Sequence, residues 1–173
     1  MLSLTSSESR YDSVMRKQAS FTFQEQQGYF IYKSNCANCH KEPLFTNGGF
    51  ERNGLPPDPK LQDEGRSVIT NNKNDSLKFK VPSLRNLEYT PPYMHDGRFK
   101  RLQDVISYYT SIQDYPELLS RNDHQQTIKM GEKEKIDLMA FLLTLSDRKF
   151  VLNKEHWDPQ LELKSTLDTN KLK

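Results

Sequence analysis

The run Cys36-Ala37-Asn38-Cys39-His40 constrains this chain more than any other feature. It contains the only two cysteines in the sequence, and a histidine follows the second directly. Two thiols at that spacing can add across the two vinyl groups of one haem, and the adjacent histidine then lies beneath the ring, where it can ligate iron. Other chemistries fit less well. A zinc site needs two further ligands at suitable spacing, and only His95, His124 and His156 remain. A thioredoxin-like pair needs a βαβ setting, and none is legible. A plain structural disulfide would leave the adjoining histidine without a role. The expectation is one covalently bound haem c, attached through Cys36 and Cys39, with His40 as proximal iron ligand.

Composition agrees with a chain that wraps a cofactor. Of 173 residues, 34% are hydrophobic and 28% charged, and there are nine prolines, so surface is plentiful relative to core. A haem supplies apolar surface that the polypeptide need not make. The length fits one domain with additional arms. The formal net charge of +2, with basic residues scattered, argues against a nucleic-acid partner. No apolar run is long enough to span a bilayer. The first residues lack the basic region and apolar core of a secretory signal. Haem c is attached outside the bacterial cytoplasm, so the expectation is a periplasmic location, with a signal that was removed or that belongs to a longer chain.

Local patterns predict an all-α domain with three main helices and long haem-wrapping loops. Residues 1–20 read as an arm, 21–148 as a cytochrome c domain and 149–173 as a charged tail. Thr22 with Glu25 forms a capping box and predicts a helix from about Phe23 to Lys33 that leads into Cys36. Residues 41–80 are rich in Gly, Pro, Asn and Asp and read as loop with short turns. Leu102, Val105, Ile106 and Tyr109 share one helix face. Gly131 with Glu134 predicts a last helix, with Ile136, Met139, Leu142 and Leu143 as its buried stripe. Residues 121–126 read as polar loop, and His124 and His156 as solvated.

A proximal histidine leaves one iron position open. From the residues alone, Met94, Met130, Tyr109, His95 or water could fill it. A thioether raises the potential and suits electron transfer, whereas a phenolate is a harder, anionic ligand that lowers it. Met94 follows Pro91-Pro92-Tyr93, a stiff loop able to present it. Met130 precedes the last helix and could serve as a hydrophobic staple. Packing in the core is the plain alternative for either methionine.

The segments Phe79-Lys80-Val81-Pro82-Ser83-Leu84-Arg85-Asn86-Leu87 and Thr90-Pro91-Pro92-Tyr93-Met94-His95-Asp96-Gly97 are more specific. With Asp63-Glu64-Gly65-Arg66 and Ala140-Phe141-Leu142-Leu143-Thr144-Leu145, they resemble the C-terminal haem domain of the bacterial di-haem cytochrome c peroxidases, including the MauG-type enzymes. The resemblance runs from about Ser7 through Asp147. In that family the N-terminal haem meets peroxide, and the C-terminal haem relays electrons to it from a small donor protein. The resemblance implies that this chain is the electron-transfer half, without the peroxidatic domain and with no catalytic acid or base of its own; a homodimer is among the expected assemblies.

The same resemblance places the distal iron ligand 14 residues beyond the histidine of His95-Asp96-Gly97, which is Tyr109. Tyr108 is rotated roughly 100° away on the helix. Met94 is the alternative ligand, with packing above the haem as its implied role. The family also binds calcium between its domains, which implies the backbone carbonyls of Thr90 and Pro92 as ligands. His95 and Gly97 read as structural, and Arg85 as either a partner for a haem propionate or a surface residue. A free-standing mono-haem carrier cytochrome is the alternative function. An open-site haem sensor or peroxidase is a third, if Tyr109 does not bind iron.

Overall fold

The computed structural model describes residues 6–111 and 128–153. Six helices lie in these segments: α1 (Arg10–Met15), α2 (Phe23–Asn35), α3 (Ser67–Thr70), α4 (Leu102–Ser111), α5 (Glu132–Leu143) and α6 (Arg148–Val151). Two short strands, β1 (Phe50–Glu51) and β2 (Phe79–Lys80), pair antiparallel, and single 3-10 turns occupy Lys73–Asp75 and Leu87–Tyr89. The fold is helical with little strand.

Capping residues set the helix starts. Thr22 accepts from the Glu25 amide, and the Glu25 carboxylate accepts from the Thr22 amide at 2.7 Å, so two otherwise orphaned donors are satisfied together. Ser9 and Asp12 repeat the device at α1. At α5 the Glu134 carboxylate reaches back to the Gly131 amide at 2.8 Å. Helix α2 continues to Asn35, two residues beyond the predicted end, and hands the chain directly to Cys36.

The body is built on the crossing of α2 and α5. A Cβ at Gly28 would lie 1.9 Å from the Asp137 carbonyl oxygen, so the helices touch backbone to backbone there. Around the crossing, Tyr32, Phe45, Phe141 and Leu145 are fully buried. Tyr11, Leu138, Leu142, Ile106 and Leu87 complete the core. The buried side of α5 differs from the predicted stripe. Ile136 is 58% exposed and Leu143 is 43% exposed, and the inward residues are Asp137, Leu138, Phe141 and Leu142. The close approach at Gly28 fixes the helix rotation and turns the 138/141/142/145 stripe inward, carrying Ile136 into solvent.

The region 41–80 is loop that closes on itself. The β1–β2 pair, the Val81 amide to Gly49 carbonyl bond at 2.9 Å and the Thr46 hydroxyl to Val81 carbonyl bond at 2.6 Å staple its ends together. Residues 6–20 pack against the body. Asp147 accepts from the Ser6 hydroxyl and from the amides of Ser7 and Glu8, at 3.1, 3.2 and 2.9 Å. Arg85 forms a two-pronged bond to Asp12 at 2.9 and 2.8 Å and also donates to the Pro43 carbonyl. This corrects the propionate role expected for Arg85: its guanidinium is already committed to α1. Residues 121–126, His124, His156 and Trp157 lie outside the described residues.

Candidate haem site

Helix α2 ends because the chain turns sharply at the motif. The Cys36 amide still donates to the Tyr32 carbonyl at 2.8 Å, and the amides of Cys39 and His40 both fold back onto the Cys36 carbonyl. The buried Tyr32 hydroxyl donates to the His40 carbonyl and ties this turn to the core. Two residues on, Glu42 accepts from the hydroxyls of Tyr11 and Tyr29 at 2.6 and 3.1 Å and from Lys33 at 2.7 Å. The motif is thus held from below by α1 and α2 together.

His40 is oriented by its ring nitrogens. Nδ1 lies 3.1 Å from the Pro82 carbonyl and 3.2 Å from the Phe45 carbonyl. Both are acceptors, so Nδ1 carries the hydrogen and Nε2 presents a lone pair. Burial holds the imidazole's proton affinity below its ordinary value, against the opposing pull of the two carbonyls, and so favours the neutral, ligating form.

Both cysteines are free thiols. Burial, with Cys39 nearby, pushes the Cys36 thiol up to about 12, and burial followed by Glu51 raises Cys39. Neither is poised as a reactive thiolate. Among the described residues, no group of three His, Cys, Asp or Glu side chains is placed to hold a metal ion. Two protonated, adjacent thiols beside a neutral imidazole with a free Nε2 fit the donor set of a covalently attached haem.

Tyr109, on α4, lies within electrostatic reach of Cys36 and Cys39; burial pushes its hydroxyl up to about 12, Cys36 adds to this and Asn53 opposes it. The Tyr108 hydroxyl comes to the same residue at its backbone and donates to the Asn53 carbonyl at 3.1 Å. Met94 also reaches this place: its sulfur accepts from the Asn53 amide group at 3.4 Å. Met94 has φ of +71° and follows a cis Pro91–Pro92 bond, and Gly97 takes φ of +69° where a Cβ would press on Pro92. The Tyr93 amide to Phe99 carbonyl bond at 2.7 Å closes the loop around them. Asn53 thus ties Met94 and, through its own carbonyl, Tyr108 of α4 to one place. Met130 packs against the core and borders a groove with Phe99 and Tyr108. His95 stacks on Phe79 with centroids 3.6 Å apart and planes within 8°. Thr90 and Pro92 are exposed.

Sequence reading passed over Asn53. Its one local mark is the Asn53-Gly54 pair, a turn signal, and its partners lie 41 and 55 residues away.

No family model matches the chain. Among curated proteins, a cytochrome-c peroxidase (IdrP1) of Pseudomonas sp. strain SCT is 32% identical over 160 residues, covering 76% of this chain and 41% of the relative. The methylamine utilization protein MauG of Methylophilus methylotrophus is 36% identical over 115 residues, covering 65% of this chain and 32% of the relative. A solved MauG-like protein associated with microbial copper homeostasis superposes with a TM-score of 0.73 at 31% identity, over 90% of this chain and 53% of that one. The chain belongs to the cytochrome c peroxidase and MauG family. The diheme peroxidase BthA from Burkholderia thailandensis shares the fold, with a TM-score of 0.67 at 22% identity. This peroxidase-family chain spans less than half the length of the curated relatives it matches. Among its described residues no helix is long and apolar enough to cross a membrane.

Proposed function

We propose that this chain is the C-terminal, electron-transfer haem domain of a di-haem peroxidase. Cys36 and Cys39 attach one haem c, His40 is the proximal iron ligand and Tyr109 the distal one. The observation that carries this reading is the pairing of a His40 ring fixed through Nδ1 with a tyrosine approaching the same two thiols from α4. The haem would supply one-electron redox chemistry. The protein's own residues orient the imidazole, shield the site and deliver the second ligand.

In the intact enzyme, peroxide would take up two electrons and two protons to give two waters. The electrons would come from a small donor protein through this domain, and the acid–base groups would belong to the N-terminal peroxidatic haem domain. Calcium at the domain interface would be bound by the backbone carbonyls of Thr90 and Pro92, whose exposure suits a site completed by another domain. Haem c attachment places the assembly in the periplasm.

Absorption and electron paramagnetic resonance spectra of the haem-loaded chain test the ligand set. The expected ferric spectrum is low-spin, without a near-infrared Met-to-iron band, and Tyr109→Phe converts it to a form that binds cyanide rapidly. A wild-type chain that already binds cyanide rapidly overturns Tyr109 as ligand.

A further inference from the structure

Asn53 lies beside Met94, the alternative to Tyr109 for the sixth iron position. Its carboxamide is oriented: Oδ1 accepts from the Leu55 amide at 3.1 Å, so Nδ2 is the end that faces the Met94 sulfur at 3.4 Å. Nδ2 has two hydrogens, so it can serve a second acceptor beside the sulfur. The Asn53 carbonyl takes the Tyr108 hydroxyl, so the residue is fixed to α4 through its backbone as well. The Met94 backbone sits at φ +71° in a loop closed by the Tyr93–Phe99 bond, which leaves the side chain's own torsions to decide where the sulfur goes.

A thioether is a weak hydrogen-bond acceptor, so the N–H to sulfur contact contributes little stability. Its consequence is directional: a sulfur lone pair that could bind a metal is turned to an N–H. Phenolate and thioether differ in softness and charge, and they set different potentials. A residue that selects between them therefore sets the redox character of the site. We infer that Asn53 is the ligand-selecting residue, holding the Met94 sulfur on its amide so that Tyr109 takes the sixth iron position. This rests on the reading of Tyr109 as distal ligand.

The test uses five variants of the haem-loaded chain, read by near-infrared absorption and midpoint potential. Asn53→Leu removes the donor and is expected to gain a Met-to-iron band, with a potential above wild type. Met94→Leu is expected to keep the wild-type spectrum, and the Asn53→Leu/Met94→Leu pair to lose the band again. Asn53→Asp keeps the Oδ1 acceptor for Leu55 and drops the donor; it is expected to gain the same band and serves if the leucine variant does not fold. A wild-type spectrum and potential in both Asn53 variants overturns the inference, as does an altered spectrum that persists in the double variant. Tyr109→Phe separates the two readings: if it changes the ferric spectrum while the Asn53 variants do not, only the selection role falls. A wild-type Met-to-iron band that Met94→Leu abolishes removes both.

Discussion

Arg85 illustrates how one residue can be read correctly as a carboxylate partner and assigned to the wrong carboxylate. Its guanidinium is 9% exposed and the paired Asp12 carboxylate 12%, so the ion pair is largely removed from water. Burial alone would raise the Asp12 carboxyl, but the bonds from Arg85 and Ser9 outweigh it and hold it below its ordinary value. Arg85→Met leaves Asp12 buried without its countercharge and should lower stability by about 3 kcal/mol, measured by urea unfolding of the haem-loaded chain. Asp12→Asn paired with Arg85→Met should recover part of that loss, because no buried charge remains unpaired. Nothing within five residues of Arg85 in sequence announces Asp12; the two are 73 residues apart.

At the scale of elements, the α2–α5 crossing governs the site because α2 delivers the motif. Gly28→Val should prevent the crossing, since even a single added carbon lies 1.9 Å from the Asp137 oxygen, which is backbone. A loss of about 3 kcal/mol or more is expected, together with reduced haem retention. Gly48→Ala is the matched control. It has φ of +68° with nothing within 4 Å, so only the left-handed backbone cost of about 1 kcal/mol applies. Thermal unfolding of the two variants separates steric contact from backbone preference. Capping boxes made the helix starts legible, because a cap and its carboxylate are three residues apart. The buried face of α5 was legible only in part: Leu142 is buried and Met139 packs on the core as expected. Ile136 and Leu143 are as apolar as Leu138 and Phe141, and only the glycine contact on another helix chooses between the faces.

For the molecule as a whole, Asp147 joins the two ends of the described chain. One carboxylate oxygen gathers Ser6, Ser7 and Glu8, and the other accepts from the Phe150 amide. The Asp147 amide is itself bound to the Asn86 side chain at 2.7 Å. Burial raises this carboxyl, but the hydrogen bonds from Phe150, Glu8, Ser6 and Ser7 together hold it below its ordinary value. A carboxyl depressed in the folded state contributes stability that is complete above its unfolded value of about 4 and is lost as pH falls through the folded one. Acid should therefore release residues 6–20 first. Limited proteolysis at falling pH should cut near Arg16 and Lys17 while the haem spectrum is unchanged, and Asp147→Ala should allow the same cut at neutral pH.

The sequence alone determined the thiol–thiol–histidine motif, the capped starts of α2 and α5 and the family, since each is written in residues close together along the chain. Only the tertiary structure decided that residues 10–15 of the expected arm form α1, which residues of α5 are buried, that Arg85 serves α1, and that Asn53 meets Met94 and Tyr108. Those outcomes depend on contacts between segments tens of residues apart, fixed by one close helix crossing and one closed loop. Local pattern carries no record of such contacts.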